Sequence, residues 1–203
     1  MRKTLILEEV GLFGLSLYMY TQLPYGWGLF AGQFLGLSVP MMMSFGLGLG
    51  LPFLWHGGLA GVQGLRLLTL IGLGSVLILI GTGVAAVLSI RFSDRVKGIG
   101  LALVLWMAFA LLYDGLVLLG VATFSHWPVE KALLGAMLLN PIDLARLILL
   151  QTFDAAAMLG YTGAVFTRFF GSAFGLVLAS TALFLWAAVP AWTAMRLFRR
   201  QDF

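Results

Sequence analysis

Apolar residues run along this chain in long, nearly uninterrupted stretches, and most charged residues fall at the edges of those stretches or between them. Four stretches, about 28–55, 67–90, 98–124 and 171–195, are each long enough to cross a bilayer as a helix, at ~1.5 Å per residue against ~30 Å of hydrocarbon. The pattern predicts an all-α integral membrane protein with about four transmembrane helices, forming a single membrane domain over residues 1–203. The orientation follows from the short segment between the second and third stretches. Arg91, Arg95 and Lys97 cluster there with Asp94, and basic clusters that flank spans stay on the cytoplasmic side. Four spans then put Arg2 and Lys3, and Arg196, Arg199 and Arg200, on that same side, so both termini are expected in the cytoplasm. Turns at the opposite surface are marked by Trp55, His56, Gly57 and Gly58, and by Ser125-His126-Trp127-Pro128.

Two segments do not read as spans. Residues 4–20 predict a helix lying along the cytoplasmic surface, because Glu8 and Glu9 interrupt the apolar run after Lys3, although Val10 to Leu23 is apolar almost all round. Residues 129–170 are broken at Asn140-Pro141. Pro141 disfavours helix at Asn140 but suits the first turn of a new helix over Ile142–Leu150. In that helix Asp143 and Arg146 stand three apart and can pair on one face. Neither half is long enough to span, which predicts a re-entrant or interfacial helix pair on the outer side. Gln151 to Phe170, with Asp154 and Arg168, then forms a loop.

The third span carries one acid, Asp114, well inside the hydrocarbon, where a carboxylate costs on the order of 3 kcal/mol. It must face protein or water. Two roles remain open: a hydrogen bond to polar groups on a neighbouring helix, or a place along a substrate or proton path.

Composition supports the membrane reading and narrows the chemistry. The chain is 61% hydrophobic and 10% charged with a mean hydropathy of +1.03, against ~25% charged residues in soluble domains. Its net charge of +4 sits at the ends of spans rather than along one polar face, so the lipid bilayer, and not nucleic acid, is the expected partner. The absence of cysteine excludes disulfides and thiolate chemistry. His56 and His126 have no companion at ligand spacing, so no metal site is expected. Gly81-Thr82-Gly83 follows no strand and precedes no lysine, unlike a phosphate loop. Met41-Met42-Met43 points its thioethers around a helix, which suits packing better than a copper path. No acid pairs with Asp114 within its span and no Ser/His pair shares a depth, so no catalytic residues are expected.

The run from Ser89 to Leu119, the element Asn140-Pro141-x-Asp143-x-x-Arg146-Leu147 and the terminal Arg196-x-x-Arg199-Arg200 resemble the permease subunit of type-2 ABC transporters. The resemblance is closest to the permease that serves maturation of nitrous oxide reductase. It implies a multi-pass protein of a bacterial or archaeal inner membrane that works as a homodimer with a separate cytoplasmic ATPase. That ATPase, not this chain, would bind ATP and magnesium. A cytoplasmic coupling helix between the family's second and third spans would contact it. Glu8-Glu9-x-Gly11 and Thr21 resemble the start and end of that coupling segment, which would occupy residues 4–27. Leu12 stands where the family has threonine, the basic residues expected near Gly26 and Gln33 are absent, and nothing corresponds to the family's first two spans. The implied cargo is a sulfur species or copper for a periplasmic copper centre, with a periplasmic accessory protein as a further partner. The alternative is a membrane-embedded accessory subunit without transport activity, which would not co-purify with an ATP-binding subunit.

Overall fold

The computed structural model describes residues 25–55, 62–124, 130–153 and 172–199. These form α1 (Tyr25–Trp55), α2 (Val62–Arg91), α3 (Arg95–Met107), a π-helical turn (Ala108–Leu112), α4 (Tyr113–Thr123), α5 (Glu130–Leu138), α6 (Pro141–Thr152) and α7 (Ala173–Phe198). The α3–π–α4 segment is one continuous rod. Among the described residues, four helical stretches are long and apolar enough to cross a membrane: Gly28–Trp55, Gln63–Arg91, Arg95–Gly120 and Phe174–Phe198.

The helices extend past the apolar stretches that announce them. Arg66, expected just before the second span, lies inside α2, where its Nε donates to the Thr152 carbonyl at 3.1 Å and its guanidinium covers the Phe153 ring. The basic loop shrinks to three residues, because α2 ends at Arg91 and Asp94 caps α3 by accepting from the Val96 N–H at 2.9 Å. α6 takes in Gln151 and Thr152, which were expected in a loop, and α7 takes in Arg196, whose guanidinium lies over Trp192. α1 likewise includes Tyr25 to Trp27 of the expected coupling segment. For the arginines the physical reason is that long basic side chains cover apolar surface with their stems, so a charge at the end of a stretch does not stop a helix. The helix expected over residues 4–20, and Asp154 and Arg168, lie outside the described residues.

Helix α2 is the centre of the bundle, packed against α1, α3, α6 and α7. It runs antiparallel to α1, with Ile71 near Gly46 at one end and Ile90 packed in the Phe30 cluster at the other. It runs parallel to α7, from the shared Ile80–Leu183 cluster to Ile90 beside Ala194 and Phe198. The main core joins Ile80, Leu133, Met137, Leu144, Ala179 and Leu183 from α2, α5, α6 and α7. Outward faces are apolar as well: Trp55, Leu68, Leu103, Leu116 and Phe184 stand exposed, as expected where the solvent is lipid rather than water. Hydroxyls in the spans turn back on their own helices, Ser38 to the Phe34 carbonyl, Thr82 to Ile78 and Thr181 to Val177. Each donor is thereby satisfied without water.

Two glycines of α2 permit the closest approaches. The Phe45 ring of α1 lies where a side chain on Gly74 would be, and a Cβ on Gly83 would sit 3.1 Å from Pro190 Cβ and 3.2 Å from the Ala191 nitrogen of α7. Gly83→Val should therefore lower the thermal unfolding midpoint of the detergent-solubilised protein, by the equivalent of about 1–3 kcal/mol of overpacking. Gly36→Val, whose Cβ would meet nothing within 4 Å, should leave it unchanged. Equal midpoints for the two variants would show that the α2–α7 contact does not depend on Gly83.

Candidate functional site

A helix that breaks inside an apolar bundle leaves carbonyls at the end of the first half and N–H groups at the start of the second. Among hydrocarbon neighbours only protein can satisfy them. The break between α5 and α6 meets this need with side chains from two other elements and with its own Asn140. Tyr113 of α4 donates its hydroxyl to the Ala136 carbonyl, and the Trp186 indole of α7 donates to the Leu138 carbonyl at 3.1 Å. Asn140, fully buried, caps α6 by accepting from the Ile142 N–H at 3.0 Å, and Pro141 follows at the position where a missing N–H costs nothing.

The same asparagine reaches the third span. In the π turn the Tyr113 N–H reaches back to the Ala108 carbonyl, one residue further than in an α-helix, so the Phe109 carbonyl loses its ordinary donor. Asn140 Nδ2 donates to that carbonyl at 2.8 Å and to Asp143 Oδ2 at 2.8 Å. The Phe109 ring meets Trp186 edge-on, 5.7 Å between centroids. One amide thus ties the hairpin turn, the π turn and the first turn of α6 together.

Charge is organised around Arg146. Its Nη2 lies 2.7 Å from Asp114 Oδ2 and 3.1 Å from Asp143 Oδ1. Asp143 is 2% exposed, so the charge it carries is the most expensive to leave unpaired. Asp114, whose role the sequence left open, pairs with an arginine on a neighbouring helix. Among the described residues no buried side-chain nitrogen or oxygen lacks a partner, and no group of three or more His, Cys, Asp or Glu could hold a metal ion.

The chain is 36% identical over 198 residues to the probable ABC transporter permease protein NosY of Pseudomonas aeruginosa, an alignment covering 93% of this chain and 69% of that protein. It belongs to the NosY-like ABC transporter permeases. A second similarity, 34% over 119 residues, is to the probable ABC transporter permease protein NosY of Stutzerimonas stutzeri and covers 56% of this chain and 38% of that protein. No family model matches the chain. The permease is a multi-pass membrane protein and the non-catalytic component of its transporter, and an ABC permease implies a partnering ATPase.

Of the residues singled out in the permease sequence, Asp114, Asn140, Pro141, Asp143 and Arg146 converge on one network. Arg91, Asp94, Arg95 and Lys97 lie around the short α2–α3 turn, with Lys97 3.9 Å from Asp94 across an exposed pair. Arg196 and Arg199 share that end of the bundle, since Ile90 and Phe198 pack in one cluster there. Glu8, Glu9, Gly11 and Thr21 lie outside the described residues. Sequence reasoning missed the contributions of Tyr113, Trp186 and the π turn. The available signal was that a tyrosine or tryptophan within an apolar span still needs a partner for its polar tip.

The charge count makes the three members of the network unequal. Arg146→Gln leaves two carboxylates without a cation and should destabilise the permease by about 3 kcal/mol. Asp114→Asn leaves Arg146 balanced by Asp143 and should change stability little. Asp114→Leu should fall between them, since it removes a hydrogen-bond partner without stranding a second acid. Thermal unfolding of the three purified variants gives the order. A midpoint for Arg146→Gln equal to that of Asp114→Asn would show that the guanidinium is not what neutralises the site.

Proposed function

We propose that this permease moves a sulfur species or a copper-related substrate for maturation of a periplasmic copper enzyme such as nitrous oxide reductase, as a homodimer driven by a cytoplasmic ATPase that binds ATP and magnesium. Membership of the permease family supports the transport role, and the sequence resemblance supports the substrate class and the dimer. The observation that carries the mechanism is the ion pair between the α5–α6 hairpin and the third span. At ~1.5 Å per residue, α5 and α6 each traverse roughly half of a ~30 Å hydrocarbon layer, and their turn touches Phe109 and Trp186, both near the middle of their rods. The hairpin enters the outer leaflet and returns from mid-depth. Arg146 holds a carboxylate on its own helix and one on the third span, so parting the hairpin from the span breaks that ion pair together with the Tyr113–Ala136 and Asn140–Phe109 bonds, leaves Arg146 neutralised by Asp143, and requires water or another partner for Asp114. Such a partner exchange gives the two packings that an alternating permease needs, and the ATPase would bias between them.

The N-terminal segment would receive the ATPase's motion, with Glu8 and Glu9 facing basic residues of that partner. Cells lacking the permease should make the periplasmic enzyme without its full copper centre, and the parent chain should restore copper content. The double variant Glu8→Lys/Glu9→Lys should insert normally but lose both co-purification with the ATPase and restoration, because like charges at a partly desolvated interface cost on the order of several kcal/mol. Undiminished co-purification by the double variant would sink the coupling assignment and favour an accessory subunit.

Orientation is open to a direct check in a chain without cysteine. Single cysteines at Gly57 and Ser125 should react with an impermeant maleimide from outside intact spheroplasts, and those at Ser93 and Gln201 only after permeabilisation. Labelling of Ser93 from outside would reverse the arrangement and remove the coupling argument with it.

A further inference from the structure

At the basic end of the bundle, Phe30, Ile90 and Phe198 bring α1, α2 and α7 together, and a groove opens beside that contact. Phe30, Phe34, Leu37, Ala85, Ser89 and Phe198 line an open groove of about 450 Å³. Its long walls run from Phe30 and Ile90 to Leu37 and Thr82, about 10 Å along the helices at ~1.5 Å per residue. Three polar side chains lie in those walls: Thr82 Oγ1 donates to the Ile78 carbonyl at 2.8 Å, Ser89 Oγ donates to the Ala86 carbonyl at 2.9 Å, and Gln33 contributes its amide. Apart from the Gln33 amide the walls offer apolar contact, which suits an alkyl chain better than a polar solute.

The mouth differs from the walls. The residues next after the lining Ile90 and Phe198 on their helices are Arg91 and Arg199, both exposed. Both stand where apolar spans end, the level of lipid phosphates. An apolar slot with a cationic rim at headgroup depth has the charge and polarity of one molecule.

We propose that this groove is a binding site for an anionic phospholipid, with an acyl chain between α1, α2 and α7 and the phosphate at Arg91 and Arg199. The site is independent of the substrate and of the direction of transport, because it follows from the spans and their charges alone. It predicts a specific bound lipid beyond the fluid annulus around the protein, one that bridges the antiparallel pair α1–α2 to α7.

Native mass spectrometry of the full chain, released from nanodiscs of equal phosphatidylglycerol and phosphatidylcholine, tests this. Phosphatidylglycerol should be retained in excess, and Arg91→Gln should reduce that excess about fivefold, the value of one basic group near an anionic surface. Lys97→Gln, which removes an equal charge from the first turn of α3 outside the groove, should leave the excess unchanged. Ala85→Phe, which fills the slot, should lower retention of both lipids. Equal retention of the two lipids by the parent chain would overturn the proposal, as would equal effects of Arg91→Gln and Lys97→Gln, which would reduce the preference to surface charge. Absence of any retained lipid would also overturn it, leaving the groove to another part of the chain or to a second copy. The two charge variants lie on the exposed surface, so the outcome does not depend on Ala85→Phe folding.

Discussion

Hydrocarbon offers no hydrogen bond, and that constraint accounts for most of the polar placement in this permease. Uninterrupted spans meet it by themselves, with their few hydroxyls folded onto the preceding turn. The break at Leu139–Asn140 cannot. Its carbonyls take donors from outside the hairpin, Tyr113 and Trp186, and the Ile142 N–H is met by the turn's own Asn140. An interrupted helix inside the bundle is therefore also a fastening point, since the donors to its carbonyls come from two different elements.

Once the turn is fastened, the neighbouring charges are held at fixed depth. Arg146 projects from the first turns of α6 toward the third span, and Asp114 meets it there. Replacing such a network by well-packed apolar residues would often cost nothing in stability, so its presence points to a role that apolar contacts do not fill. Apolar surfaces can slide over one another, while an ion pair exists at one register or not at all. The network gives the hairpin and the span a defined docked state.

How much of this was legible in the sequence depended on distance along the chain. Four spans followed from composition and length, and the Asp143–Arg146 pairing and the break before Pro141 followed from spacing, because each involves residues within one turn. The partner of Asp114 lies 32 residues away on another helix, and no local pattern encodes it; only the cost of a lone acid signalled that a partner was needed. Helix ends were misplaced by up to five residues where arginines sit inside helices, as Arg66 does through its bond to Thr152. The π turn left no trace, since Ala108 to Leu112 is as apolar as the α-helix on either side. The basic end was readable as charge, but the groove beside it needed the relative placement of three helices.

The π turn also sets a phase. One extra residue in a turn rotates everything after it by about 100° relative to everything before it, so the face of the rod that carries Lys97 and the face that carries Asp114 are keyed separately. Loss of a single residue between Ala108 and Leu112 would heal the helix, preserve its hydropathy and length, and swing Asp114 away from Arg146 into the lipid. In this span a locally better helix would be a worse protein.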